Sequence, residues 1–259
     1  MPEYIHGSTD PREVARLEKQ ARFFAPHFHP HLRARAGQRI LDLATGVGAT
    51  AAELARAFPG VELVAVDLSR SQLQVARARH GIAAYVQGDG AHLPFRDGAF
   101  DRVHCSWLLE HVPSPLDVLR EVRRVLAPQG EALFVEVDNS SFRTTPPLPE
   151  ASEIMRALSE AQQRAGGDPY VGQKLEGLFG EAGFSKVEVW PVVLRGHAGD
   201  PALFWGVAEE FAEIFESVDE ALGPEMTPKI RRAAAALRAL PGTPGAEVYY
   251  RSFAARGTR

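Results

Sequence analysis

From residue 39 onward, short apolar runs alternate with segments in which apolar residues recur at three- and four-residue intervals, the pattern of buried strands and amphipathic helices that builds a parallel sheet. The first run, Ile40, Leu41, Leu43 and Ala44, is broken only by Asp42. Gly46 and Gly48 then predict a turn, and an alanine-rich stretch predicts a helix over 50–57. Pro59-Gly60 marks a turn before a second strand over 61–66 that ends in Asp67, followed by a helix over 70–79 and a third strand over 83–87. A fourth strand is expected over 100–106. The helix over 115–126 carries an apolar stripe of Leu116, Leu119, Val122, Val125 and Leu126 and is stopped by Pro128-Gln129-Gly130, before a fifth strand over 131–137. Residues 139–149 are polar and proline-rich and read as a loop or hinge. Beyond them the pattern predicts helices over 150–164 and 172–182, a strand over 187–193, mostly amphipathic helix over 196–241, and a last strand over 246–254. At the other end, Asp10 as N-cap and Pro11 in the first turn open a helix expected to run to about Phe24.

The chemistry concentrates where strands meet glycines. Paired glycines admit tight-turn dihedrals and leave room for a ligand close to the main chain, and the following helix N-terminus offers backbone N–H groups. A nucleotide-like cofactor is expected there. Gly46, Gly48 and Ala51 satisfy the looser dinucleotide pattern, with Asp67 about 20 residues on, so the loop alone also admits a nicotinamide or flavin. Asp42 separates the readings: a carboxylate in a buried strand needs a cation or several donors, and the ammonium of S-adenosylmethionine supplies one where the nicotinamide cofactors do not. Asp67, at the end of the second strand, can accept from two ribose hydroxyls, while Ser69 caps the next helix. Asp89, in Gly88-Asp89-Gly90-Ala91, can accept from an adenine amine with neighbouring backbone N–H groups facing a ring nitrogen.

Composition narrows the partners. The 259 residues are 45% hydrophobic and 24% charged, enough for one core with a helical appendage, and the formal net charge is −4. With a pI near 6.2 and no basic tract, neither nucleic acid nor an anionic membrane is the expected partner. A small-molecule acceptor is. Cys105 is the only cysteine, which excludes an intramolecular disulfide and a multi-cysteine metal site and suits the cytoplasm. The opening Met-Pro-Glu-Tyr-Ile-His lacks the order of a secretion signal, and no apolar run approaches the roughly 18 residues of a membrane span. Monomer and homodimer both remain open.

Four segments together carry a resemblance: Leu-Asp-Leu-Ala-Thr-Gly-Val-Gly (41–48), Val-Asp-Leu-Ser (66–69), Gly-Asp-Gly-Ala-His-Leu-Pro-Phe-Arg-Asp-Gly-Ala-Phe-Asp (88–101) and Leu-Leu-Glu-His-Val (108–112). In this order and spacing the chain resembles the class I S-adenosylmethionine-dependent methyltransferases over residues 39–137, in the branch that includes the ubiquinone and menaquinone biosynthesis methyltransferases and many natural-product tailoring enzymes. Ala44 departs from the family, which most often has glycine there. The resemblance implies an α/β, Rossmann-like sheet, mostly parallel with an antiparallel last strand. It implies S-adenosylmethionine as cofactor, with Asp42 holding the methionine ammonium directly or through water. Ala44, Thr45, Gly46 and Gly48 would pass under the methionine and ribose. Asp67 would bind the ribose and Leu68 would lie against the adenine, whose edge Asp89, Gly90 and Ala91 would read. Ser106, with Cys105 and Trp107, would lie beside the sulfonium.

The expected organisation is an N-terminal helical cap (1–38), a cofactor-binding core (39–138) and a remainder (139–259) whose helical insert at about 196–241 forms a lid with the first helix and the 139–149 loop. Phe204, Trp205, Phe211 and Phe215 fall at helical spacing there and are read as core packing ahead of a substrate box. His27, His29 and His31 surround Pro30 without an accompanying acid, so the segment reads as partly exposed surface and no metal is assigned. Methyl transfer from a sulfonium is an in-line displacement, so alignment and exclusion of water should carry most of the rate, and His111 is the candidate base where the acceptor must lose a proton. Cys105 is read as packing. A non-methylating S-adenosylmethionine-binding protein and an NAD-dependent oxidoreductase are the alternatives.

Overall fold

The computed structural model describes residues 9–259. Strands β1 (Arg39–Leu43), β2 (Glu62–Asp67), β3 (Ala84–Gln87), β4 (Phe100–Ser106), β5 (Leu126–Val137), β6 (Arg143–Thr145), β7 (Ser185–His197) and β8 (Glu247–Thr258) form one sheet. Helices are α1 (Pro11–Phe28), α2 (Ala49–Ala57), α3 (Arg70–Arg79), α4 (Pro115–Val125), α5 (Pro149–Arg164), α6 (Leu175–Glu181), α7 (Pro201–Ser217), α8 (Asp219–Leu222) and α9 (Thr227–Ala239). The sheet order is β3-β2-β1-β4-β5-β8, with β1 to β5 parallel to one another. β8 runs antiparallel to β5 on one side and β7 on the other. The order reverses between β1 and β4, which opens a crevice at the carboxyl ends of those strands.

Strand alternation divides the core. Ile40, Leu63 and Ala65 face α2 and α3 with Leu54, Leu73 and Ala76. Leu41, Val64, Val66, Val103 and Phe134 face α4 and α6 with Leu119, Val122, Leu175 and Phe179. A further cluster joins β7 and β8 to α5, α7 and α9, and Phe24 and Phe28 of α1 enter it. Period-2 alternation against helices on both faces explains why these strands read as nearly continuous apolar runs.

Four stretches differ from the sequence expectation. α1 does not stop at Phe24 but continues through Pro26 to Phe28, because Phe24 and Phe28 stack (5.4 Å, 12°) and both meet the Trp107 ring. Residues 139–149 are not merely a loop: a 3₁₀ turn at Asn139–Ser141 leads into β6, which pairs with Glu247–Tyr249 of β8 beyond the stretch that pairs with β5. β5 begins at Leu126, where the Pro-Gln-Gly segment instead marks an irregular register against β4 and Gln129 takes φ +65°. β7 extends across Pro191, which is tolerated because among the described residues this strand pairs only with β8. The insert between β7 and β8 contains α7, α8 and α9. Phe204, Phe211 and Phe215 bury against the sheet, whereas Trp205 stays 54% exposed, so the aromatic stripe is core and its tryptophan is not part of it.

Candidate cofactor and acceptor site

Beyond β1 the backbone enters the left-handed region three times, at Ala44 (φ +58°), Gly46 (φ +55°) and Gly48 (φ +79°). For Ala44 this costs about 1 kcal/mol relative to glycine, the consequence of its departure from the family pattern. The turn is pinned to β2 by Thr45 N–H donating to Val66 O at 2.9 Å and by Gly46 N–H donating to Asp67 Oδ2 at 2.8 Å. Asp67 Oδ1 accepts from Ser69 N–H at 2.8 Å, and Ser69 Oγ in turn caps α3 at Gln72 N–H. Burial raises the Asp67 pKa, opposed by these backbone donors. The carboxylate thus ties the glycine turn to the second strand and keeps further lone pairs for hydroxyl donors. Gly48 is required for packing: a Cβ there would lie 2.8 Å from Ala76 Cβ and 3.0 Å from the Tyr85 hydroxyl.

Asp42 has a protein partner that the sequence reading missed. Register places it opposite His104 of β4, and His104 Nδ1 lies 3.1 Å from its Oδ1. Among the described residues its Oδ2 is buried without a protein partner, as is Thr45 Oγ1 on the same turn. One Asp42 oxygen is thus held by His104, and the other is the one left for the expected ammonium. His29 closes this cluster from outside, its ring perpendicular to His104 at 5.7 Å, and burial with the neighbouring His104 lowers its pKa to about 3. The three-histidine segment is thus split. His29 is buried, contrary to a surface reading, His31 packs on Trp190 (4.7 Å), and among the described residues no group of three or more potential ligands could hold a metal ion.

At the end of β3, Asp89 Oδ1 accepts from Ala91 N–H at 3.0 Å, so the Ala91 N–H expected to face a ligand is engaged within the turn. At the end of β4, Trp107 takes φ +57°, a strained conformation for a bulky residue. The turn that follows is held from below by Glu136 of β5, whose Oε1 accepts from Leu108 N–H (3.2 Å) and Leu109 N–H (3.0 Å). Burial pushes the Glu136 pKa well up, with the nearby Glu110 charge adding to it. Glu110 is itself buried; its Oε2 accepts from Gln162 Nε2 at 2.8 Å, and burial, opposed by that bond, raises its pKa to about 7. His111 Nε2 lies 3.5 Å from Glu110 Oε1, and burial lowers its pKa to about 4. At neutral pH the imidazole is neutral but a weak base. Cys105, wholly buried with its pKa raised well above the ordinary thiol value by burial, is packing.

One cavity of about 2000 Å³ connects these turns. Ala44, Thr45, Gly46, Asp67, Leu68, Asp89, Gly90, Ser106 and His111 all line it, whereas Asp42, Gly48 and Ala91 do not reach its wall. Leu68, 47% exposed, presents an apolar surface beside Asp67. The opposite wall comes from α1 and from α7 to α9, including Arg16, Gln20, Glu213 and Glu216. Ligand cavities commonly measure about 300–1000 Å³, so this one has room for a nucleoside cofactor and a second molecule. The orphaned Thr45 and Asp42 oxygens, the glycine turn and the Asp67 carboxylate fit the polar end of S-adenosylmethionine, and Leu68 fits a base. Glu110 lies in the turn after β4, within the Leu-Leu-Glu-His-Val motif, but the sequence singled out its neighbour His111; Gln162 and the α1 side chains come from a distant helix and a cap with no motif of their own.

Comparison with known proteins agrees with this geometry. Residues 41–134 match a family described as a methyltransferase domain. A demethylmenaquinone methyltransferase of Renibacterium salmoninarum is 35% identical over 136 residues, 51% of this chain and 55% of that protein, so the match spans about half of that relative's length. A second, of Streptomyces griseus subsp. griseus, is 31% identical over 184 residues, covering 65% of this chain and 77% of the relative. The fold is similar to phosphoethanolamine N-methyltransferase 2 of Haemonchus contortus, solved with phosphomonomethylethanolamine and S-adenosylhomocysteine, at TM-score 0.63 and 18% identity over 97% of this chain and 58% of that one. The chain belongs to the class I S-adenosylmethionine-dependent methyltransferases, in the branch that holds the menaquinone enzymes. Among the described residues, no helix is long and apolar enough to cross a membrane.

Proposed function

We propose that this chain methylates a small-molecule acceptor with S-adenosylmethionine as donor. The observation that carries the reading is the single cavity that joins the ends of β1, β2, β3 and β4, lined by Gly46, Asp67, Asp89 and Ser106, and continues under the helices with space for a second molecule. When bound, the cofactor supplies an electrophilic methyl group. Asp67 would hold the ribose hydroxyls, Leu68 would pack on the base and Asp89 would accept from its amine. Thr45 and Asp42 would take the methionine end, Asp42 through water because it lies behind the wall. Ser106, Trp107 and His111 would border the transfer point, and the α1 and α7–α9 wall would exclude water and orient the acceptor, so that alignment is the main source of rate.

The acidic net charge favours a free small molecule over nucleic acid. The names of the relatives make phenol- or quinone-like rings the first acceptors to try, alongside amines and polyketides. Two measurements test the reading. S-adenosylhomocysteine should raise the melting temperature and NAD should leave it unchanged. Mass spectrometry of products from a panel of phenols, quinones, amines and polyketides should then show a gain of one methyl; stabilisation by S-adenosylhomocysteine with no methylated product across the panel would favour a non-methylating binding protein.

A further inference from the structure

A line of buried hydrogen bonds ends in the cavity. The Tyr250 hydroxyl of β8 donates to Asn139 Oδ1 at 3.0 Å, Asn139 Nδ2 donates to Gln162 Oε1 at 3.1 Å, and Gln162 Nε2 donates to Glu110 Oε2 at 2.8 Å. Each amide accepts on its oxygen and donates from its nitrogen, so the order of the chain fixes both amides and leaves Glu110 as its terminal acceptor. The turn that carries Glu110 is held through its backbone as well. Asp168 N–H donates to Glu110 O at 2.9 Å, and a Cβ at Gly167 would overlap that same oxygen, so the close approach of α5's end to this turn requires glycine. Glu110 and Gln162 both line the cavity beside Ser106 and Trp107, although Glu110 is only 5% exposed.

A buried carboxyl without a cation beside it is costly as a structural element. Among the described residues, Glu110 makes no ion pair with lysine or arginine. The titratable groups around it are His111 on the same turn, Glu136 from β5 and Tyr250 from β8, with Asp138 close to Tyr250. A glutamine at this position would keep the packing at lower cost, so the charge-bearing group calls for a use.

We propose that Glu110 is the catalytic base of the site and that Gln162, oriented by Asn139 and Tyr250, is its positioning residue. The inference rests on the methyl-transfer reading. As the acceptor's nucleophilic atom bonds to the methyl carbon and the carbon–sulfur bond breaks, with its electron pair kept by sulfur, the proton on that atom passes to a Glu110 carboxylate oxygen. The products are the methylated acceptor, a neutral thioether and a protonated Glu110, which returns its proton to water when the site opens. A carboxyl that titrates near neutrality is matched to this task, whereas His111, depressed by burial, is not.

Two readouts test it on the full chain with S-adenosylhomocysteine bound. In infrared difference titration of wild type against Glu110→Gln, a carboxyl band should disappear with a midpoint near pH 7, be absent from the variant, and shift to higher pH in Gln162→Leu, which removes the donor that favours the ionised form. With an acceptor found in the panel, Glu110→Gln should lower kcat by about 10²- to 10⁴-fold while S-adenosylhomocysteine affinity by calorimetry stays within about two-fold, and Gln162→Leu should move the acid limb of the wild-type rate profile to higher pH. A folded Glu110→Gln protein with wild-type turnover overturns the assignment, and so does a band titrating in the ordinary carboxylate range. If wild type methylates nothing in the panel, the transfer reading fails, and the infrared midpoint alone decides whether Glu110 holds a proton near neutrality or not.

Discussion

The two walls of the cavity are made differently. The floor, where β1 to β4 end, is fixed by backbone: left-handed turns at Ala44, Gly46 and Gly48, and main-chain N–H groups given to Val66, Asp67 and Glu136. The roof, where α1 meets α7, is joined by side chains. Arg16 holds Glu13 in a two-bond pair and approaches Glu210 at 3.8 Å, Gln20 donates to Glu210 at 2.6 Å, and Lys19 reaches Glu213 at 2.9 Å. Backbone contacts of the first kind survive sequence change only if the turn survives, while side-chain pairs of the second kind can be exchanged one at a time. The floor therefore suits a cofactor that must not vary, and the roof suits an acceptor that can.

The sharpest test of that contrast is Gly46→Val, which places a β-branched residue at φ +55° inside the turn. S-adenosylhomocysteine affinity should fall by more than about 100-fold in calorimetric titration, since over about 3 kcal/mol of contacts depend on the turn; normal affinity in a folded variant would move the cofactor elsewhere. Asp67→Ala comes next. It removes the acceptor for two ribose hydroxyls and releases the Gly46 and Ser69 N–H groups, so the dissociation constant should rise roughly 10- to 100-fold, about 1.5–3 kcal/mol, without unfolding.

The roof should respond in stability before it responds in cofactor binding. Burial raises the Glu210 pKa to about 7, against the pull of Arg16. Its folded pKa exceeds the ordinary 4.5, so the native state binds the extra proton between those values and stability falls as pH rises from 4.5 to about 7. Glu210→Gln should therefore melt with wild type at acid pH and above it at pH 8, by on the order of 1–3 kcal/mol in stability, with cofactor affinity unchanged. A variant that is less stable at pH 8 would show that the Arg16 pairing outweighs burial. The smallest effect belongs to Lys19→Ala. Its partly exposed pair with Glu213 is worth roughly 0–1 kcal/mol, so neither melting temperature nor S-adenosylhomocysteine affinity should shift appreciably, and a large loss of affinity would mean that the roof, too, holds the cofactor.

The same contrast explains what could be read from the residues alone. The floor was legible because glycines, strand-end acids and apolar runs are local signals, and Gly46, Asp67 and Asp89 meet in one cavity as their spacing suggested. What escaped notice depends on register or on distant segments. His104 becomes the neighbour of Asp42 only through the pairing of β1 with β4, and Glu136 reaches the turn after β4 only from the next strand. β6 is three residues long and takes its place from β8, a hundred residues away, so a polar proline-rich stretch gave no sign of it. α1 overran its predicted end because two phenylalanines had an aromatic surface to meet, a gain that propensity at Pro26 does not register.

Trp107 joins the two walls, and that gives the molecule an optical signal of its own. Its backbone belongs to the floor, with the N–H given to Val135, while its indole lies edge-on to Phe24 (4.9 Å) and Phe28 (5.8 Å) of the roof. Of the other two tryptophans, Trp205 is half exposed, and Trp190 lies on β7 with its ring tilted against His31. A chain with Trp190 and Trp205 replaced by phenylalanine would carry one fluorophore at the seam. Its emission would shift to the red whenever α1 lifts away, so that opening and closing could be followed in real time with no label attached.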